Sequence, residues 1–116
     1  MRKELGRQGE ERAAKYLQQH GYKILQRNYY TRYGELDIVC QKQGEIVFVE
    51  VKTRKSMCYG YPEESITYRK IQHLKKAAMI YLNELSNPFR GLRFDVITIL
   101  IDQQGREKLN HIENAF

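Results

Sequence analysis

The sequence predicts one α/β domain, a mixed sheet flanked by helices, in the order helix, three strands, helix, strand and a short C-terminal addition. Three observations predict it. Apolar residues recur every three to four positions over residues 5–20 and 67–85. Two β-branched runs, 34–39 and 46–52, meet across Lys42-Gln43-Gly44-Glu45, as in a hairpin. Residues 94–101 are apolar on both faces except at Asp95 and Thr98, the pattern of an internal strand. A chain of 116 residues holds one core, so 1–116 reads as a single domain.

The first helix carries Leu5, Gly9, Ala13, Tyr16 and Leu17 as its apolar stripe and stops at Gly21, a residue suited to the position past a helix end. Gly6, Gly9, Ala13 and Ala14 keep its first half thin, so it can lie close to what it packs on. Glu10 borders the stripe and reads locally as a solvated carboxylate near the positive end of the helix dipole. Residues 22–30 form the first strand. Arg27, Asn28 and Arg32 with Tyr29, Tyr30 and Tyr33 then crowd the approach to the hairpin. That mixture suits phosphate gripping and base stacking, and equally an amphipathic strand edge.

A hairpin turn centred between Gln43 and Gly44 pairs Asp37 with Glu50, Glu35 with Lys52 and Val39 with Phe48 on one side of the ribbon. The other side holds Leu36 with Val51, Ile38 with Val49 and Cys40 with Val47, all apolar. Two carboxylates directly opposite each other are unfavourable. A protonated carboxyl, the Lys52 ammonium or a divalent cation would each relieve them.

Residues 53–62 lack periodicity and read as a loop that starts basic, placing Arg54 and Lys55 beside the ionisable end of the hairpin. The second helix starts at Thr67, a good N-cap, and runs to Leu85, with Ile71, Leu74, Ala78, Tyr81, Leu82 and Leu85 facing the core. Arg69, His73 and Lys76, with Lys70 and Lys75 nearby, make a basic stripe able to track phosphates. Asn87-Pro88 ends the helix, and Pro88-Phe89-Arg90-Gly91 turns into the next strand. Asp102-Gln103-Gln104-Gly105 is a further turn. Residues 108–116 form a weaker strand or tail anchored by Ile112 and Phe116.

A net charge of +6 favours an acidic partner: nucleic acid, an anionic membrane surface or an acidic protein. Two cysteines, Cys40 and Cys58, are too few for a disulfide framework or a zinc site, so a reducing, cytoplasmic setting is expected. No apolar run is long enough for a membrane span and the N-terminus has no signal core, so a soluble, unexported protein is expected. Phosphate-binding glycine loops and G-x-S-x-G elements are absent. His20, His73 and His111 are dispersed and read as surface or capping residues.

The hairpin retains chemistry. An Asp, a spacer and Glu-x-Lys on one strand face is the layout of a phosphodiesterase metal site, in which Asp37 and Glu50 hold Mg²⁺ and Lys52 orients or helps deprotonate the attacking water. A structural ion-pair cluster of Glu35, Asp37, Glu50 and Lys52 is the competing reading.

Gly34-Glu35-Leu36-Asp37-Ile38-Val39 and Val47-Phe48-Val49-Glu50-Val51-Lys52-Thr53-Arg54 resemble the core of the PD-(D/E)xK nuclease superfamily. More closely, the chain resembles the YraN family, small bacterial proteins described as endonuclease-like and distantly similar to archaeal Holliday-junction resolvases. Gly9-Glu10, Arg27-Asn28, Thr67 with Lys70, Arg93-Phe94-Asp95-Val96 and His111-Ile112 also fit it. The resemblance implies a restriction-endonuclease-like core with Asp37, Glu50 and Lys52 as its active-site motif. It further implies Glu10 as another carboxylate on the metal, against the local reading of that residue. Leu36 stands where the family usually has Pro before the Asp.

The expected activity is Mg²⁺- or Mn²⁺-dependent hydrolysis of phosphodiesters in DNA, branched or damaged DNA included. Glu10, Asp37 and Glu50 would surround the metal, and Lys52 would act on the nucleophile. Arg27, Arg32, Arg54, Lys55, Arg69 and Lys70 would hold the nucleic acid. A homodimer would suit two-strand cleavage, although no residue requires one. The alternative is a nucleic-acid-binding module that keeps the nuclease fold without turnover.

Overall fold

The helical periodicity at the N-terminus closes into α1 (Arg2–Gln19) in the computed structural model, which describes residues 2–55, 66–86 and 88–116. Gly21 follows the helix at φ +87°, the left-handed region that glycine enters without penalty. Beyond it run β1 (Lys23–Thr31), β2 (Gly34–Lys42) and β3 (Glu45–Lys55). Then come α2 (Tyr68–Glu84), β4 (Gly91–Ile101) and β5 (Glu107–Ile112).

The five strands form one sheet in sequence order, antiparallel except for the parallel pair β3 and β4, which α2 joins by a crossover. β4 is internal, lying between β3 and β5. The element order and the mixed sheet flanked by helices match the sequence expectation, and the architecture is compatible with a restriction-endonuclease-like fold.

The two helices cover opposite faces. Ala13, Ala14 and Leu17 of α1 pack with Ile38, Cys40, Val47, Val49, Ile97 and Ile99. Leu74, Ala77, Ala78 and Tyr81 of α2 pack with Leu36, Val39, Ile46, Phe48 and Phe94. α1 comes so close to the sheet that a Cβ on Gly9 would stand 1.8 Å from Thr53 Oγ1. The thin first half of the helix therefore has a steric purpose.

The hairpin register agrees with expectation as far as it runs, with Ile38 opposite Val49, Val39 opposite Phe48 and Cys40 opposite Val47. There the ladder ends, one residue short of the acid pair. The expected sharing of a face by Leu36 and Val51 is not found. Leu36 packs in the α2 cluster and Val51 against the α1 cluster, so Leu36 and Ile38, two residues apart, serve opposite faces. The physical reason is Asp37, whose Oδ2 accepts the Val51 N–H at 2.9 Å in place of a backbone carbonyl.

Two other readings are corrected. Residues 53–55 are not loop but the end of β3, because parallel pairing with β4 supplies Thr53, Arg54 and Lys55 with partners in Ile99, Leu100 and Ile101. The rest of the expected loop, including Cys58, lies outside the described residues, as does Asn87. His111 is not a surface histidine: its side chain is 7% exposed and bonded on both nitrogens.

Candidate active site

The β2–β3 ladder stops at Ile38 and Val49, and just beyond it, within both strands, the Asp37 carboxyl meets that of Glu50, which is 5% exposed. Burial, a hydrogen bond with Glu50 and the charge of Glu50 push the Asp37 carboxyl well above the usual range. Glu50 moves the other way: burial opposes its ionisation, but the bond from Asp37 and the Lys70 and Lys52 ammoniums overcome that and hold it charged. The two directions favour a proton on Asp37 and a charged Glu50. The Lys52 ammonium, another relief expected for opposed carboxylates, is also near Glu50.

Lys52, two residues past Glu50, projects to the same side and places its Nζ 3.9 Å from Glu50 Oε2. Burial and the nearby Lys70 push the Lys52 ammonium down to about 8, with Arg54 adding to the effect. Lys70 Nζ is closer still, 2.7 Å from the same oxygen. It comes from the first turn of α2, where Thr67 Oγ1 accepts the Lys70 N–H at 3.1 Å as the N-cap. Sequence reasoning counted Lys70 among phosphate-holding residues, and the structure puts it in the acid cluster. Charge pattern alone could not separate it from its neighbours on α2, because the contact depends on the crossover laying that helix over β3.

Glu10 and Glu35 are joined through Asn28, whose Nδ2 donates to Glu10 Oε1 at 2.8 Å and to Glu35 Oε2 at 2.7 Å. Glu35 is therefore not the partner of Lys52 that the extended register predicts, since the ladder does not reach it. Asn28 was noted in the sequence only as part of a polar cluster. Its φ of +53°, a region Asn tolerates well, aims its amide.

Glu10, Glu35, Asp37, Glu50, Arg69 and Lys70 all line one cleft of about 500 Å³ between α1, β2, β3 and α2. Tyr33 and His73 form part of its wall. The Arg32 guanidinium lies 5.0 Å and the Lys76 ammonium 5.2 Å from the Tyr33 ring centre. Of the other expected nucleic-acid contacts, Arg27 pairs with Glu11 on α1 and Arg54 donates to the Thr53 carbonyl at 2.9 Å. Lys55 is exposed at the end of β3.

Among the described residues, no three His, Cys, Asp or Glu side chains stand close enough to hold a metal ion. The donor set nonetheless fits Mg²⁺ or Mn²⁺ by its chemistry. Two hard carboxylates meet at an open cleft, and Mg²⁺ is usually held by one or two carboxylates together with waters and substrate phosphates. Glu10 borders the same space, engaged by Asn28.

A second buried acid lies on the α1 side of β4. Asp95, fully buried, takes Arg93 Nε and Nη2 at 2.9 Å each, His111 Nε2 at 2.7 Å and the Asn114 N–H at 3.0 Å. His111 Nδ1 is 3.0 Å from the Tyr16 hydroxyl, and Arg93 Nη2 donates to the Tyr22 hydroxyl at 2.7 Å. In the sequence Asp95 stands out as a polar exception in an apolar strand and as part of the Arg93-Phe94-Asp95-Val96 match to the family, without its partners.

No helix among the described residues is long and apolar enough to cross a membrane. Residues 9–99 match the family described as "Uncharacterised protein family UPF0102". A UPF0102 protein of Syntrophomonas wolfei is 58% identical over 116 residues, covering 100% of both chains. One from Bifidobacterium longum subsp. infantis is 50% identical, with 98% of this chain and 94% of the relative covered. One from Persephonella marina is 42% identical, with 96% and 91% covered. The span of these matches, across all the elements that build the cleft, shows that the chain belongs to the UPF0102 family, the YraN family its motifs resemble.

Proposed function

We propose that this protein is a metal-dependent endonuclease of the PD-(D/E)xK superfamily, akin to Holliday-junction resolvases, that hydrolyses phosphodiesters in DNA, including branched or damaged DNA. The observation that carries the reading is the Asp37–Glu50 carboxyl pair, which lines an open cleft together with Lys70 and has the Lys52 ammonium 3.9 Å from Glu50. Opposed buried carboxyls are unfavourable in themselves, and a strongly perturbed pair lining a cleft is the pattern of a functional site. The net charge of +6 supports a polyanionic substrate.

Asp37 and Glu50 would hold Mg²⁺ or Mn²⁺, and Glu10, which lines the same cleft and is held by Asn28, would join them only on release from Asn28 and movement toward the pair. The ion, when bound, would polarise the scissile phosphoryl group and stabilise its developing charge. Lys52, with its ammonium pushed down to about 8, gives up a proton more readily than an ordinary lysine and can orient or help deprotonate water near neutral pH. Arg69 on the cleft wall, Arg32 beside Tyr33, and Arg54 and Lys55 at the end of β3 would engage the backbone. A cytoplasmic site of action follows from this substrate.

Incubation with linear, flapped and four-way DNA in Mg²⁺ or Mn²⁺ tests the reading. Cleavage is expected, with a loss of at least about a thousandfold in Asp37→Ala and Lys52→Ala proteins. No cleavage of any substrate, or undiminished cleavage by these variants, would refute it. The alternative module that binds nucleic acid without turnover draws on the engagement of Glu10 by Asn28 and of Glu50 by Lys70. It predicts salt-dependent DNA binding that survives loss of Asp37 and Glu50.

A further inference from the structure

Glu50 Oε2 is buried and has two ammoniums near it, and the two differ in kind. Lys52 belongs to the same strand, two residues on, is 12% exposed in its side chain, and stands off at 3.9 Å. Lys70 reaches across from α2 to 2.7 Å on a flexible stem that is 41% exposed. Its ammonium thus meets an oxygen that is itself buried from solvent. Lys70 also lines the cleft, which gives its side chain room to swing away from Glu50 while its backbone stays under the Thr67 cap.

We propose that Lys70 is a tethered cation that competes with the divalent ion for Glu50, and that the ion enters only as Lys70 withdraws into the cleft. The inference rests on the metal-binding reading of Asp37 and Glu50. Its physical content is steric and electrostatic. An ion ligated through Oε2 would sit about 2.0–2.1 Å from that oxygen, within a few ångströms of an ammonium held 2.7 Å from the same atom. Two cations so close repel strongly in a partly dry site. Lys52 is the weaker competitor, since it stands 3.9 Å from the same oxygen against 2.7 Å for Lys70 and its side chain is 12% exposed against 41%. Withdrawal would turn Lys70 toward the cleft space beside Arg69, where a substrate phosphate would compensate its charge.

The test is Mn²⁺ binding by the full chain, followed by loss of the free-ion electron paramagnetic resonance signal. The proteins are wild type, Lys70→Met, which keeps the apolar stem, and Lys70→Arg, which keeps the charge. Lys70→Met is expected to bind Mn²⁺ about tenfold more tightly than wild type, and Lys70→Arg no more tightly than wild type. Wild-type binding with no gain in Lys70→Met overturns the competition and leaves the metal site standing. An absence of Mn²⁺ binding in both folded proteins overturns the metal reading and the competition together.

Thermal unfolding provides the second measurement, with Lys70→Gln as the variant if Lys70→Met does not fold. Without added metal the Lys70 variant is expected to melt below wild type, because Glu50 has lost its nearest countercharge. Saturating Mn²⁺ is expected to close that gap. A gap that persists overturns the proposal.

Discussion

Two oppositely charged pairs occur at the same spacing on neighbouring strands and end differently. Arg93 and Asp95 on β4, and Glu50 and Lys52 on β3, are each two residues apart, so each pair shares one side of its strand. On β4 the guanidinium closes on the acid with two contacts of 2.9 Å, and His111 and the Asn114 N–H fill the remaining acceptor sites. On β3 the ammonium stops at 3.9 Å, and the nearest cation is borrowed from a helix. Both acids are buried, so burial is not what separates them. The separation lies in the donors. Fixed, planar donors that saturate a carboxylate make Asp95 a structural centre, whereas flexible ammoniums and a second acid leave Glu50 open to exchange.

The strongest way to break that comparison is to remove each acid in turn. Asp95→Ala takes from Arg93 its two contacts of 2.9 Å and from His111 and the Asn114 N–H their buried acceptor, and is expected to cost about 3–5 kcal/mol in urea unfolding at pH 7. Asp37→Asn replaces a carboxyl whose proton the folded state retains and the unfolded chain releases, so at pH 7 it is expected to leave the protein at least as stable as wild type. Equal losses would mean that the two centres do the same job.

Next in size is the backing of the acid site. Where the Asp95 centre is packed by the side chains of Tyr16 and Tyr22, the strand bearing Glu50 is backed by α1 at glycine distance. Gly9→Ala would drive its methyl into Thr53 Oγ1 and is expected to cost about 2 kcal/mol, most of it as displacement of α1. Thr53→Ala in the same chain should restore only part, since Thr53 Cβ itself would stand 2.9 Å from the new atom. Full additivity of the two changes in a double-mutant cycle would show that the helix does not bear on β3 at this point.

How much of this was legible in the sequence depends on how local each interaction is. The register of Ile38 with Val49 and Val39 with Phe48 was readable because a short turn sets it, and Thr67 was readable as a cap because its partner is three residues away. The extension of β3 through Lys55 was not, since its partners on β4 are more than forty positions on and loop composition masks the pairing. Nor was the link between Glu10 and Glu35, which depends on the backbone angle of Asn28. Lys70 was found as a residue, but its contact with Glu50 was not. Asp95 and His111 were visible in motifs, but their link was not, because their partners come from α1, β4, β5 and the chain beyond it.

The two acids should also respond to pH with opposite signs. The Asp37 carboxyl is raised by burial and Glu50, so the folded state holds a proton that the unfolded chain releases near pH 4. Its contribution is fully present below that pH and declines as pH rises toward the raised value. Burial works against ionisation of Asp95, but His111, Arg93 and the Asn114 N–H outweigh it and hold its carboxyl low. Its contribution is present above about pH 4 and lost in stronger acid. Wild type should therefore lose ground to Asp37→Asn between pH 5 and 9, by no more than about 1.4 kcal/mol per pH unit. Parallel profiles for the two proteins would show that Asp37 does not carry the proton.

The smallest effect expected sharpens the comparison most, because it asks whether the borrowed cation is placed by the helix cap. Thr67 is exposed and touches neither acid, yet its hydroxyl secures the backbone of Lys70. Thr67→Ala should cost about 1 kcal/mol through loss of the cap, and Thr67→Ser, which retains the hydroxyl, should cost less than half of that. If the first turn of α2 aims Lys70 at Glu50, loosening it should tighten Mn²⁺ binding in the direction of Lys70→Met but by only about twofold. A Thr67→Ala protein with the expected loss of stability and unchanged Mn²⁺ affinity would show that the ammonium finds Glu50 without guidance from the helix, as a freely moving counterion does. The contrast with the rigid Arg93–Asp95 pair would then be wider than the distances alone convey.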